Sequence, residues 1–221
     1  MLAITNEDCM ELMKRYPDKH FDLAIIDPPY GINMSQNLFK NGQNCKNNGY
    51  KEHLDKDWDK QIPKKDYFDE LFRVSKNQIV FGANYMTKYL PESMGWLVWN
   101  KIQRDFSFAD GELAWTSFNK KLKIFDYGRA CESGFAPKLT DIEKPFANIH
   151  PTQKPIALYK WLLHNYAKPG DKILDTHLGS ASIAIACHDY GYDLTGCELD
   201  PEYFAAAMKR IEAHTAQQKL F

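Results

Sequence analysis

The last third of the chain alternates between two kinds of apolar segment, and this alternation limits the folds it can adopt. Apolar residues at helical spacing predict helices over residues 155–167, 181–190 and 201–213. Two short branched segments between them, residues 172–175 and 194–198, are typical of buried strands. Strands that alternate with helices predict an α/β fold whose sheet is doubly wound, Rossmann-like and mostly parallel.

A further buried strand is predicted near the start of the chain. Residues 21–26 read FDLAII and end abruptly at Asp27-Pro28-Pro29-Tyr30. The two prolines prevent continued strand pairing, so these four residues predict a rigid loop. In an α/β protein, ligands bind beyond the carboxyl ends of parallel strands, which is where this loop is expected to lie.

The middle of the chain predicts a helix over residues 67–74 and a strand over 78–82. Three strand-like segments follow, at residues 96–100, 112–118 and 123–127, and we expect them to form antiparallel hairpins. The size of 221 residues suits one domain. Within it, residues 35–65, rich in Asn and Lys, predict a mobile basic loop, and residues 101–149 predict an insertion that recognises the target.

Overall composition excludes several broad classes of protein. The 28 basic and 29 acidic side chains give a formal net charge of -1, so any nucleic-acid surface must be local. The five cysteines lack the spacing of a zinc site or a disulfide framework, which predicts free thiols in a reducing cytoplasm and no bound metal. No apolar stretch is long enough to span a membrane, so we expect a cytoplasmic protein without a membrane partner.

A candidate nucleotide site follows the strand at residues 172–175. The chain continues as Asp175-Thr176-His177-Leu178-Gly179-Ser180 and then enters a helix, where Gly179 and small neighbours let a ligand approach the backbone. Glu198 ends the next strand, at a separation where an acid commonly binds ribose hydroxyls. The absence of a full Gly-x-Gly-x-x-Gly pattern disfavours a pyrophosphate and thus a nicotinamide enzyme. A tight turn with an exposed Glu198 is the structural alternative.

The loop at Asp27 has side chains suited to chemistry on an exocyclic base amine. Such an amine is a poor nucleophile because its lone pair is delocalised into the ring. A carboxylate and a fixed backbone carbonyl, each accepting one N–H, can aim that lone pair at a methyl donor. Tyr30 offers a ring face for a base drawn out of the duplex, and a phenylalanine would then serve equally well. A simple turn with a partly buried tyrosine is the alternative.

In their order along the chain, these motifs resemble the DNA amino-methyltransferases, specifically the permuted (beta) group in which the catalytic motif precedes the cofactor motif. Residues 6–12 look like the acidic turn and helix at the start of that family, and FDLAIIDPPYG looks like its catalytic strand and loop. His150-Pro151-Thr152-Gln153-Lys154-Pro155 is similar to the segment that opens its cofactor half. GCELDPEYF is similar to its ribose-binding strand end and the helix that follows.

The resemblance implies S-adenosylmethionine as cofactor and DNA as substrate. It implies that methyl transfer depends on Asp27, Pro28, Pro29 and Tyr30, and that the cofactor site comprises Asp8, Thr152, Lys154, Asp175, His177, Gly179, Ser180 and Glu198. Asp8 would lie near the adenine of the cofactor, and Thr152 and Lys154 near its methionine end. A helix N-cap and a solvated lysine are the plain alternatives for Asp8 and Lys154.

The cofactor turn departs from the pattern of the family. The family usually has Asp-Pro-Phe, one variable residue, then Gly-Ser-Gly, whereas this chain has Thr176 and His177 in place of Pro and Phe and Ala181 in place of the last Gly. A histidine can still pack as a planar ring, and alanine adds only one methyl group. We therefore expect cofactor binding to survive these changes.

Contacts with DNA are predicted in the basic loop 35–65 and in the stretch 101–149, where basic and aromatic residues interleave at Lys120, Lys121, Lys123 and Arg129. Among family members an Asp at position 27 is commoner in adenine enzymes, so N6 of adenine is the expected target and N4 of cytosine the alternative. A catalytically inactive DNA-binding homologue and an NAD-dependent oxidoreductase have less support. No cysteine follows a proline, which disfavours C5-cytosine methylation. The sequence is compatible with a homodimer and does not specify the oligomeric state.

Overall fold

The computed structural model describes residues 1–32, 59–104, 109–128, 149–150 and 152–216. This part of the chain contains one eight-stranded sheet in the order β1-β8-β7-β2-β3-β5-β4-β6. The strands are β1 (Leu2–Asn6), β2 (Phe21–Ile26), β3 (Ser75–Phe81), β4 (Trp96–Asn100), β5 (Gly111–Thr116), β6 (Lys123–Asp126), β7 (Lys172–Asp175) and β8 (Asp193–Glu198). The helices are α1 (Cys9–Lys14), α2 (Lys65–Val74), α3 (Ile156–Tyr166), α4 (Ser182–Tyr190) and α5 (Pro201–Thr215).

Five neighbouring strands of this sheet, β1, β8, β7, β2 and β3, are mutually parallel. Their register brings the ends of β2, β7 and β8 to one edge of the sheet, where Asp27, Asp175 and Glu198 follow or end them. We call this the carboxyl edge. The sequence did not predict β1, an edge strand whose polar residues and partial exposure weaken the apolar signal.

The other three strands partly correct the prediction of antiparallel hairpins. Strand β5 is antiparallel to both β3 and β4, as expected. Strand β6, however, pairs with β4 in parallel, with Leu97 opposite Lys123, because residues 117–122 are long enough to carry the chain across β4. Since β5 lies between β3 and β4, residues 111–126 of the predicted insertion belong to the main sheet.

Helices cover both faces of the sheet, which confirms the doubly wound α/β fold. Along β2 the side chains alternate: Leu23 and Ile25 pack with α3, α4 and α5, whereas Ala24 and Ile26 pack with α1 and α2. This period of two is the reason that a strand buried on both faces reads as a continuous apolar segment. The largest fully buried side chains include Phe21, each such side chain stabilising the fold by about 1.5–3 kcal/mol.

Several predicted segments lie partly or wholly outside the described residues. They include most of the basic loop 35–65, residues 105–108 and 129–148 of the predicted insertion, and with them Arg129. In the part of the chain that the structure describes, no helix combines the length and apolar character needed to cross a membrane.

Candidate active site

A cavity of about 540 Å³ opens at the carboxyl edge of the sheet. All the predicted catalytic and cofactor residues except Asp175 line it, namely Asp8, Asp27, Pro28, Pro29, Tyr30, Thr152, Lys154, His177, Gly179, Ser180 and Glu198. Its volume lies within the range of about 300–1,000 Å³ that is usual for small-molecule sites. Two motifs far apart in sequence therefore share one cavity.

The loop after β2 is held by an acid that the sequence analysis did not single out. Asp59 Oδ1 accepts hydrogen bonds from the backbone N–H groups of Tyr30, at 2.7 Å, and Gly31, at 2.9 Å. With two consecutive prolines before them, these bonds fix the backbone of the loop. No spacing rule indicates this acid, because it reaches the loop from residues distant in sequence.

Both oxygens of the Asp27 carboxylate have partners. Tyr30 donates its hydroxyl hydrogen to Oδ1 over 2.6 Å, and the Lys154 ammonium donates to Oδ2. Burial raises the pKa of Asp27 above its ordinary value, although Lys154 favours the charged carboxylate. Burial opposes the charge on Lys154, yet its pKa is raised because Asp27 and Glu112 outweigh that effect. Lys154 is therefore a buried, paired cation, and the alternative of a solvated lysine is wrong.

The ring of Tyr30 is packed against residues that directly follow β3. It stacks on Tyr85, with ring centroids 5.5 Å apart and planes 18° from parallel. Gly82, at φ +63°, lies against the same ring, and a Cβ there would be 2.1 Å from a Tyr30 ring carbon. Only glycine both adopts this backbone conformation readily and leaves room for the ring.

The turn after β7 is shaped by Gly179 and Glu198. Gly179 has φ +52°, and its N–H donates to Glu198 Oε2 over 2.8 Å, while Asp200 N–H donates to Oε1 over 3.0 Å. Each carboxylate oxygen has two acceptor sites, so Glu198 keeps capacity for two further hydroxyl groups. Burial raises the pKa of Glu198, and the backbone N–H groups of Asp200, Gly179 and Leu199 oppose that rise.

The altered residues of this turn have distinct environments. The His177 ring packs edge-on against Tyr67, and burial lowers its pKa to about 4, so the ring is neutral at pH 7. Thr176 links the two, since its hydroxyl lies 2.6 Å from Tyr67 Oη and 2.9 Å from His177 Nδ1. Ala181 has φ +60°, a left-handed conformation that costs an alanine roughly 1–2 kcal/mol. This explains why a glycine suits that position.

Asp175 does not line the cavity and lies buried beneath the turn. Its Oδ1 accepts the backbone N–H of His177 over 3.0 Å. Burial raises its pKa to about 8, so the carboxyl is largely protonated at pH 7. In this structure Asp175 supports the turn from below.

Asp8 caps α1 and also lines the cavity. Its Oδ1 accepts the backbone N–H of Met10 over 2.8 Å, which is the N-cap contact given as its alternative. Thr152 lies beside the His150 ring, with its hydroxyl 3.1 Å from Nδ1. The His150 ring in turn packs edge-on against Tyr203 and lies next to Gly179.

Arg210 of α5 connects the cofactor turn to Lys154, and the sequence analysis missed it. Its buried guanidinium donates to Ser180 O over 2.7 Å and to Ser182 Oγ over 3.0 Å. The Ser182 hydroxyl donates onward to the carbonyl of Lys154 over 2.7 Å. An arginine on an amphipathic helix usually faces solvent, so only the fold reveals this contact.

The predicted DNA-binding lysines lie at the opposite end of the sheet. Lys120 Nζ donates to the carbonyl of Asn165 over 2.9 Å, and Lys123 Nζ donates to its side-chain oxygen over 2.8 Å, both at the end of α3. Lys121 lies between them in the connection from β5 to β6. The length of the strands thus separates these lysines from Asp27, and their contact with DNA stays a prediction.

Within the described ranges, no group of three or more His, Cys, Asp or Glu side chains is arranged to hold a metal ion. The described cysteines Cys9, Cys187 and Cys197 are free thiols. Burial raises the pKa of Cys9, which lines the cavity, to about 12. That thiol therefore stays protonated and is a poor nucleophile.

Comparison with known proteins adds independent information. A family model described as DNA methylase, of the N6/N4 type, matches residues 128–209. Over 96% of its length the chain is 24% identical to the type II methyltransferase M2.DpnII of Streptococcus pneumoniae and covers 90% of that protein. A 73-residue segment is 36% identical to the type II methyltransferase M.XycI of Xanthomonas campestris pv. cyanopsidis, covering 33% of this chain and 24% of that protein.

Solved structures of DNA methyltransferases have the same fold. The M1.HpyAVI complex with S-adenosylmethionine superposes with a TM-score of 0.57 at 21% identity, covering 96% of this chain and 99% of that one. The cytosine-N4-specific PvuII DNA methyltransferase gives a TM-score of 0.60 at 12% identity, covering 100% and 88%. The chain is thus similar to DNA amino-methyltransferases of the N6-adenine/N4-cytosine type in sequence, and it shares the fold of solved DNA methyltransferases, one of them in complex with S-adenosylmethionine.

Proposed function

We propose that this protein transfers the methyl group of S-adenosylmethionine to N6 of adenine in DNA. The observation that carries the proposal is the position of Asp27, whose carboxylate lies in the same cavity as the Gly179 turn and Glu198. A carboxylate at this point can accept an N–H of an exocyclic amine. N4 of cytosine is the alternative target, since it presents the same kind of amine.

The residues of the cavity suit S-adenosylmethionine. Glu198 retains acceptor capacity for the two ribose hydroxyls. Gly179 has no side chain, which leaves open the space between the turn and the His150 ring. Asp8 also lines the cavity and, by the family resemblance, would face the adenine. When bound, the cofactor supplies an electrophilic methyl group on a positively charged sulfur.

The residues of the Asp27 loop would then orient the nucleophile. Asp27 and the carbonyl of Pro28 each accept one N–H of the amine, and this directs its lone pair to the methyl donor. Pro29 keeps that carbonyl in place because its ring restricts the backbone. With the cofactor bound, its methyl group would be transferred directly to that nitrogen as the bond to sulfur breaks. Asp27, which accepts an N–H of the same amine in this proposal, would take up the proton that the nitrogen then loses.

The order of the motifs supports assignment to the permuted group, because the Asp27 loop precedes the Gly179 turn in the chain. Because one sheet contains both halves, we propose that residues 1–221 form a single methyltransferase domain. We further propose that the protein works in the cytoplasm, where DNA is accessible. Ile32 and Asp59, which border residues 33–58, line the cavity. This position supports the proposal that the predicted loop 35–65 contacts DNA beside the target base.

Nucleoside analysis tests the proposal. The purified protein is incubated with duplex DNA and S-adenosylmethionine carrying a labelled methyl group, and the DNA is digested for mass spectrometry. The expected product is labelled N6-methyladenine. Labelled N4-methylcytosine would establish the alternative target, and 5-methylcytosine would overturn the mechanism. Strand-resolved sequencing of the same DNA gives the recognition sequence.

A further inference from the structure

Four charged side chains form a row beside the candidate active site. Lys101, just after β4, lies 2.7 Å from Glu112 Oε1, and Glu112, on β5, presents Oε2 to Lys154 Nζ at 3.2 Å. Lys154 in turn contacts Asp27. The row therefore alternates in sign and ends at the carboxylate that we propose binds the target amine.

The lysines of the row are buried and its carboxylates are mostly buried, which makes the internal pairing important. The side chains of Lys101 and Lys154 are 6% and 2% exposed, and those of Glu112 and Asp27 are 21% and 15% exposed. Burial opposes ionisation of Glu112, but the ammonium groups of Lys154 and Lys101 outweigh it and lower its pKa to about 2. Two cations and two anions balance, so removing one charge leaves another without its counterpart.

The amine of the target base competes with Lys154 for Asp27. If Asp27 were the one anionic partner of Lys154, the Lys154 ammonium would hold that carboxylate tightly, because a buried cation without a partner is costly. Glu112 changes this, since it gives Lys154 a second carboxylate partner. Lys101 holds Glu112 in place and cancels its charge.

We propose that Glu112 is a positioning residue for methyl transfer, which shares the Lys154 ammonium with Asp27 so that Lys154 remains paired while Asp27 engages the target amine. Glu112 acts through Lys154 and does not touch the base. The inference rests on the proposed function, because it assigns Asp27 to the amine.

The test is a double-mutant cycle on the full chain, formed by Glu112→Gln, Lys154→Met and the double variant. The rate of methyl transfer is measured in a single turnover at saturating S-adenosylmethionine and DNA. Calorimetry gives the cofactor Kd. We expect Glu112→Gln to lower the rate at least tenfold with the Kd changed less than twofold, and to have less than a twofold effect in the Lys154→Met background. Glu70→Gln, which breaks an ion pair with Arg73 on α2 away from the cavity, is the matched control and should keep the full rate.

A full rate in Glu112→Gln, or an equal fold loss in both backgrounds, would overturn the proposal. If Glu112→Gln does not fold, Lys101→Met decides, because without Lys101 the Glu112 carboxylate is no longer held in place beside Lys154. The rate should then fall at unchanged cofactor Kd, and an unchanged rate would refute the role of the row.

The inference can also be separated from the proposed function. With ¹⁵N-lysine, the buried Lys154 ammonium should give a slowly exchanging NMR signal that disappears in Lys154→Met and shifts in Glu112→Gln. If the wild-type protein transfers no methyl group, the proposed function fails by itself. An unshifted ammonium signal in Glu112→Gln would contradict the shared pairing whatever the activity.

Discussion

The Tyr30 hydroxyl donates a hydrogen bond to Asp27 Oδ1 over 2.6 Å, within the same four-residue loop. This contact changes the expectation for Tyr30→Phe, which the sequence alone suggested would be harmless. We expect the variant to keep the stack on Tyr85 but to lower the rate of methyl transfer about tenfold, since a hydrogen bond to a charged group contributes about 1.5–3 kcal/mol. Transfer assays at saturating cofactor measure this, with Tyr85→Phe as the ring-preserving control. Equal rates in Tyr30→Phe and wild type would show that the hydroxyl is dispensable.

Glu198 provides a test of the cofactor site. Glu198→Ala removes the acceptor for Gly179 N–H and the proposed acceptor for ribose, so the affinity for S-adenosylmethionine should fall by about 1.5–3 kcal/mol. Calorimetry measures the change. Glu198→Gln, which retains one oxygen acceptor, should lose less. If the alanine variant binds the cofactor as tightly as wild type, the ribose assignment is wrong.

Asp175 predicts a pH dependence of stability. Its pKa of about 8 in the folded protein exceeds the unfolded value of about 3.9. The folded state therefore binds the proton more tightly, and this stabilisation, complete below about pH 4, is lost as the pH rises toward 8. Asp175→Asn, which still accepts the His177 N–H, should be more stable than wild type at pH 8 by about 1 kcal/mol or more and should show a shallower pH dependence. Denaturant unfolding at pH 5 and pH 8 tests this, and parallel curves for the two proteins would contradict the assignment.

The lysines at the far end of the sheet distinguish a structural role from contact with DNA. Because Lys120 and Lys123 bind Asn165 at the carboxyl end of α3, we expect their joint replacement with Lys121 by alanine to lower the melting temperature slightly. If these lysines also contact phosphates, as the sequence predicts, the salt dependence of DNA affinity should weaken as well. A salt slope equal to that of wild type would contradict that prediction and leave the lysines a structural role.

Sequence patterns predicted those helices and strands whose conformation is determined by residues within the same segment. The continuous apolar segment of β2 and the helical spacing of α3, α4 and α5 each predicted an element that the structure contains. Strand β1 was missed because it is a half-exposed edge strand. The parallel pairing of β6 was missed because spacing along the chain does not reveal which strand a segment crosses.

The residues of the candidate site also fall into those that a local sequence pattern predicts and those that only the fold reveals. The Asp27 loop and the Gly179 turn have local signatures, since each joins a strand end to residues with special backbone requirements. Asp59, Glu112 and Arg210 have none, because each acts on a segment far away in sequence. Lys154 lines the cavity, but its partners Asp27 and Glu112 could only be identified from the fold.

Asp27→Asn tests the central claim most directly. The variant retains the size of the side chain and removes the negative charge that we propose accepts the amine N–H. We expect the rate of transfer to adenine in DNA to fall about 100-fold or more, with the affinity for S-adenosylmethionine unchanged within about twofold. Transfer of labelled methyl groups and calorimetry on the same preparation give both numbers. Wild-type transfer by Asp27→Asn would contradict the account, because the amine would then be oriented by some other group.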